Sequence, residues 1–428
     1  MLIEFRVENH RSIRDEQVLT MEAGRVGDSA DSRPRHALGH SESLLAVAGL
    51  YGANASGKSN VLAALAFMRV AVLESYRIWL PDEGVPRDPF AWGSKRSDPS
   101  LFEVTVLVDE IRYEYGFSVS DECFLEEWLY AWPHGHKQIW FERDGSSFKF
   151  GDNLKGENKL IEGVTRANAL FLSAAVQLKH EQLQPIFSWF RQLQAINMDW
   201  RHAPIYATPP PEFWLRFMLD DVSGARTGPS MPEVAQKDSL VASFRTLLRN
   251  ADIGIVDFRV EQTERDESGR RPRGQSRSQV LLRHQFTSEA WLPLEQESNG
   301  TQTLFRIALP MLYSVREGGT ILIDELEASL HPTLAQQIVR QFNDATTNPH
   351  NAQLIFTTHD TNLLGTIVGD PVLRRDQVWL TEKDTEGATV LYPLTDYIPR
   401  KAENLERGYL QGRYGAIPFL GDFALAEK

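Results

Sequence analysis

One octapeptide, Gly52-Ala53-Asn54-Ala55-Ser56-Gly57-Lys58-Ser59, limits what this chain can fold into more than any other feature. It has the form G-x-x-x-x-G-K-[ST]. An apolar run, Leu44 to Tyr51, reads as a buried strand before it, and Gly57 to Tyr76 reads as a helix after it. That helix is apolar nearly all round at first (Val61, Leu62, Leu65, Phe67, Met68), which predicts packing beneath a sheet. In such a turn the glycines let successive N–H groups curl inward onto phosphate oxygens, and the helix N-terminus adds its dipole. Gly52, Asn54, Ala55, Ser56, Gly57 and Asn60 are the expected cradle. Lys58 is expected to reach the β- and γ-phosphates, and the Ser59 hydroxyl to ligate Mg²⁺. The ligand implied is a nucleoside triphosphate.

A second acidic half lies far downstream. Thr320-Ile321-Leu322-Ile323 is an apolar strand ending in Asp324-Glu325, a pair that also occurs at ordinary strand ends. A buried parallel strand would deliver both carboxylates to the carboxyl edge of the sheet, where open α/β folds bind ligands. Asp324 is expected to hold Mg²⁺ with Ser59, and Glu325 to orient and deprotonate the attacking water. A third strand, Gln353 to Thr358, ends at His359, placed where a γ-phosphate sensor would sit. Between them, Glu297-Ser298-Asn299-Gly300-Thr301-Gln302 opens an apolar helix, again the description of an anion site. One chain already has its phosphate loop. The second terminus therefore suggests a composite site in which Ser298, Asn299 and Gly300 serve a partner subunit's nucleotide. The same segment also reads as a plain N-cap through Ser298 or Asn299.

The rest of the chain sets limits. With 428 residues it is long enough for two lobes or one domain with insertions. A net charge of −13 excludes a surface that attracts nucleic acid or anionic membrane everywhere, so any DNA contact needs a local basic patch. The single cysteine, Cys123, cannot close an intrachain disulfide, which fits a reducing compartment. The first eight residues alternate apolar with charged, and Val61 to Met68 falls far short of the ~20 residues a membrane span needs. A soluble, cytoplasmic protein is expected, with no membrane partner.

The expected fold is an α/β P-loop ATPase domain made from the two chain ends. Residues 1–178 would carry the phosphate loop and a β-rich lobe at about 100–150, with a hairpin around Asp109-Glu110. Residues 179–280 would form a helical insertion containing a disordered stretch, 261–279, with Arg265, Arg270, Arg271, Arg273 and Arg277. Residues 281–428 would complete the ATPase domain.

Taken together, these residues resemble the ABC-type ATPases of the SMC, RecF and OLD group. The opening Ile3-Glu4-Phe5-Arg6-Val7-Glu8-Asn9-His10-Arg11-Ser12-Ile13 resembles that group's first strand and turn, which implies a nucleotide contact for Arg11. Glu297 to Gln302 resembles the signature motif, Asp324 to Pro332 resembles Walker B running into the D-loop, and His359 resembles the switch histidine. Gln177, after the apolar run Ala169 to Val176, matches the Q-loop glutamine, a contact to nucleotide and metal. More narrowly, Tyr113 to Phe117, Phe141-Glu142-Arg143, Glu297 to Thr301 and Tyr409 to Pro418 resemble the AAA-type ATPases of prokaryotic abortive-infection and phage-defence systems (AbiL, RloA and PARIS types). The resemblance implies Mg²⁺-dependent ATP hydrolysis in a homodimer or larger oligomer that controls a separate effector protein. Neither the OLD nuclease domain nor the SMC coiled coil fits in this chain. Two other readings stay open: a RecF-like DNA-repair ATPase on duplex DNA, and a nucleotide-binding scaffold with little turnover.

Overall fold

The computed structural model describes residues 1–26, 31–198, 214–215, 237–251, 254–262, 278–285, 290–365, 371–397 and 404–418. Its organising element is a 17-residue helix, α1 (Lys58–Glu74), which follows directly on strand β3 (Val47–Gly52) and the Gly-rich loop. Fifteen of its residues are buried, because it lies between two sheets and has no wet face. That accounts for a sequence apolar on every side.

Above α1, β1 (Leu2–Glu8) and β2 (Gln17–Thr20) pair antiparallel. They join β4 (Ser100–Val108), β5 (Ile111–Val119), β6 (Phe124–Ala131), β7 (Gln138–Asp144) and β8 (Ser147–Phe150). The result is one antiparallel sheet of seven strands in the order β2-β1-β4-β5-β6-β7-β8. The β-rich stretch is therefore continuous with the first strand of the chain. Between β4 and β5, Asp109 and Glu110 both take positive φ (48° and 64°), the backbone a two-residue hairpin turn needs.

Below α1 lies a six-stranded sheet in the order β16-β15-β3-β14-β13-β9. Its members are β9 (Gln194–Ile196), β13 (Thr320–Ile323), β14 (Gln353–Thr357), β15 (Val378–Lys383) and the antiparallel edge strand β16 (Thr389–Pro393), together with β3. Both faces are covered. Leu322, Ile355 and Trp379 face α1, while Ile321, Ile323, Leu354 and Phe356 face the opposite core with α6 (Asn299–Glu317) and α7 (Pro332–Asn343). Gln353 ties the two sheets together: it accepts from the Leu2 N–H and donates to the Leu2 and Leu45 carbonyls.

Among its described residues the stretch 179–280 carries strands as well as helices. It holds α4 (Gln184–Gln192) and α5 (Lys237–Asn250), which follow α2 (Asn158–Val164) and α3 (Phe171–Gln177). It also supplies β9 to the six-stranded sheet and β10 (Ile255–Gln262) and β11 (Ser278–His284) to a small sheet with β12 (Trp291–Pro293). Long-range pairing decides these strands. Residues 261–262 and 278–279, expected to be disordered, pair across that hairpin. The five arginines of the Arg-rich stretch lie outside the described residues. A final helix, α8 (Leu405–Leu410), packs its Tyr409 ring against Tyr51.

Candidate nucleotide site

Parallel pairing puts the motif-bearing strand ends side by side. Ile323 registers with Phe356 across β13 and β14, and Thr357 registers with Leu50 across β14 and β3. With strands about 4.8 Å apart, the Gly-rich loop, Asp324-Glu325 and His359 emerge on one edge. Gly57 is the N-cap of α1 with φ 109°, and no side chain caps that terminus. A Cβ at Gly57 would stand 2.0 Å from Thr389 Oγ1, so only glycine fits.

The loop is gripped from beneath by hydroxyls. Ser56 Oγ and Thr381 Oγ1 are 2.6 Å apart, and Thr389 Oγ1 donates to the Ser56 carbonyl at 2.8 Å. Asn60 Nδ2 donates to Ser12 Oγ at 2.6 Å. The side chains of Ser56 and Asn60 thus hold the loop to its scaffold, while Asn54 and Ala55 are exposed. Lys58 is buried and its Nζ donates to the Gly52 and Ala53 carbonyls at 2.9 and 3.1 Å. Burial lowers its pKa, and the neighbouring carboxylates of Asp324, Glu327 and Glu325 act against that shift.

Opposite the loop, Asp324 Oδ1 accepts from Thr357 Oγ1 at 2.6 Å. Glu325 is exposed and takes φ 51°, a left-handed conformation uncommon for a side chain of this kind. The His359 N–H donates to Glu327 Oε1 at 2.5 Å. Its ring pKa is lowered by burial first and by Lys58 second, so at neutral pH the imidazole is uncharged. Ser59 offers a hydroxyl and Asp324 a carboxylate, the oxygen donors that a hard cation such as Mg²⁺ takes.

The Ser298–Gly300 terminus stands apart from the loop. Ser298 caps α6 by accepting from the Thr301 N–H at 3.2 Å, so the N-cap reading describes its side chain. A Cβ on Gly300 would meet the Ser329 carbonyl at 2.7 Å, which explains glycine there. Asn299 lines a cavity of about 480 Å³ with Asn197, Arg306, Asp324, Glu325 and Ser329, and none of the Gly-rich loop residues borders it.

One expected contact, Gln177, is not brought to this edge. Gln177 is exposed at the end of α3, whose first turn is fastened to the C-terminal end of α1 by Ser75 and Ser173. That end lies about 24 Å along the helix axis from the loop. A glutamine after an apolar run is a weak signal, because any short buried helix produces it. Arg11 lies near Ser12 and the loop, but its guanidinium pairs with Asp88 at 3.3 Å. The sequence reading also missed Asn197. It follows β9 on the other flank of β13, takes φ 60°, and donates to the Asp324 carbonyl at 3.2 Å. Arg306 Nη1 donates in turn to Asn197 Oδ1 at 3.3 Å. A three-residue strand leaves no periodicity to find.

A phosphate loop one strand removed from an acid-ended parallel strand in the same sheet defines a nucleotide-binding P-loop ATPase. The chain belongs to the family described as "AAA domain, putative AbiEii toxin, Type IV TA system", whose model matches residues 47–365. Among solved structures it is similar to the "SmcHead bound to the C-winged helix domain of ScpA", at 11% identity and TM-score 0.42, covering 91% of this chain and 96% of that one. It is also similar to the SMC head domain from Thermotoga maritima, at 12% identity and TM-score 0.39, with 92% and 98% covered. No curated protein sequence matches the chain. Among the described residues no helix is long and apolar enough to cross a membrane.

Proposed function

We propose that this chain is an ATP-hydrolysing switch which assembles around ATP, as a dimer or larger oligomer, and controls a separate effector protein in anti-phage defence. One observation carries the reading. Lys58, Asp324, Glu325 and His359 share one sheet edge, while Ser298 and Asn299 at the α6 terminus are exposed, and Asn299 lines a cavity with Asp324 and Glu325 that none of the Gly-rich loop borders, leaving room for a second half-site from another subunit. In the closed assembly, loop N–H groups and Lys58 would bind the phosphates, and Ser59 with Asp324 would hold Mg²⁺, which would balance phosphate charge. Glu325 takes the proton from the attacking water, and neutral His359 orients the γ-phosphate. Asn299 and Gly300 of the neighbouring subunit close the other side. The family description names a putative AbiEii toxin and a type IV TA system, which supports the defence setting.

The test is native mass and ATP turnover of wild type and Glu325→Gln, each with and without Mg²⁺ and ATP. Removing the base should cut turnover about 100-fold or more and leave an ATP-bound assembly of at least twice the monomer mass. If Glu325→Gln matches the wild type in both mass and rate, the switch is ruled out.

A further inference from the structure

Thr357 is the last residue of β14, completely buried, and sits within a run that reads as plain apolar strand. Its hydroxyl and its carbonyl make three hydrogen bonds to three consecutive residues of the neighbouring strand end. Oγ1 donates to Asp324 Oδ1 at 2.6 Å, the same Oγ1 accepts from the Glu325 N–H at 2.7 Å, and the carbonyl accepts from the Leu326 N–H at 3.1 Å. The directions are forced. An ionised carboxylate only accepts, so the hydroxyl proton points at Asp324 and its lone pairs at Glu325. This is the single side-chain bond that the Asp324 carboxylate makes among the described residues.

We propose that Thr357 is a positioning residue for the hydrolytic pair: one buried hydroxyl sets the Asp324 carboxylate in its metal-facing rotamer and locks Glu325 in its left-handed turn. The inference rests on the reading of this edge as an ATPase site. Its physical content is geometric. Glu325 at φ 51° would relax toward extended backbone if its N–H lost that acceptor, and its carboxylate would swing with the chain. Asp324 without a donor would be free to rotate about χ1. Neither loss touches the phosphate loop, which is held separately by Ser12, Thr381 and Thr389.

Thr357→Val keeps the shape and removes the hydroxyl, whereas Thr357→Ser keeps the hydroxyl. Binding of the fluorescent analogue mant-ATP is titrated with Mg²⁺, alongside kcat, KM for ATP and melting temperature. Thr357→Val should raise the half-saturating Mg²⁺ concentration and lower kcat, each by about 10- to 100-fold, the usual cost of losing a group that orients a metal ligand. KM for ATP and mant-ATP binding in EDTA should hardly move, and Thr357→Ser should restore the Mg²⁺ dependence and kcat. The proposal is overturned if Thr357→Val keeps the wild-type Mg²⁺ dependence, or if Thr357→Ser fails as Thr357→Val does with an equal loss of melting temperature. A wild type that binds mant-ATP but never turns over defeats the ATPase reading instead, and the Mg²⁺ titration still decides the role of Thr357. Should Thr357→Val not fold, Thr357→Ser against Thr357→Cys makes the same comparison with a weak sulfur donor.

Discussion

The site has two helix N-termini, and they are finished in opposite ways. At α1 no side chain caps the first turn; Gly57 occupies the cap position and the hydroxyls around it bind the loop from behind. At α6 Ser298 caps its own helix, and Gly300 lies against the Ser329 carbonyl. An uncapped terminus keeps its N–H groups for an anion, whereas a capped one is stable by itself and has fewer to offer. The first is a seat that needs its ligand, and the second is a finished surface that can wait for a partner.

Three changes would break or sharpen that contrast. The largest effect is expected from Gly57→Ala. Its side chain would occupy the space of Thr389 Oγ1 at a left-handed φ, so nucleotide binding should be lost and stability should fall by about 2 kcal/mol or more. Isothermal titration with ATP and urea denaturation would measure both, and wild-type binding by this variant would contradict the geometry.

Acid should come next, and it should act on the α1 side. His10 is buried between Phe67 and Phe102 with both ring nitrogens unpartnered, and burial lowers its pKa to about 3. Arg11 works in the same direction and Asp88 against it. The unfolded chain takes the proton near pH 6.5 and the folded one only near pH 3. Stability from this group is therefore complete above about pH 6.5 and is lost as pH falls, by up to about 1.4 kcal/mol per unit. His10→Phe should flatten that slope between pH 6 and 4; denaturant midpoints that still fall in parallel with the wild type would assign the effect elsewhere.

The smallest effect is expected from Ser298→Ala, about 1 kcal/mol for one lost cap. Nucleotide binding by the monomer should stay as it is, because Ser298 belongs to the finished terminus. A loss of monomer binding equal to that of Gly57→Ala would remove the contrast.

What could be read from the sequence was whatever is local. The Gly-rich loop, the acid-ended strand and His359 are contiguous in the chain, and the twofold alternation of β4 and β5 marks their hairpin directly. What could not be read depends on pairing across long separations. β1 pairs with β4 across almost a hundred residues, and β9 joins β13 through three residues that carry no pattern. Thr357 was hidden because an apolar strand accepts threonine without comment. Gln177 shows the opposite case: the end of a short buried helix has the same local pattern as a motif glutamine.

The helix buried between the two sheets also divides the molecule mechanically. Every flank of α1 is packed, so sliding it would repack its contacts with both sheets at once, and close-packed interiors resist that. The phosphate loop is thus the fixed jaw of the site. Any travel between an open and a closed form falls to the other jaw, where α6 meets the β13 end through Arg306 and Asn197.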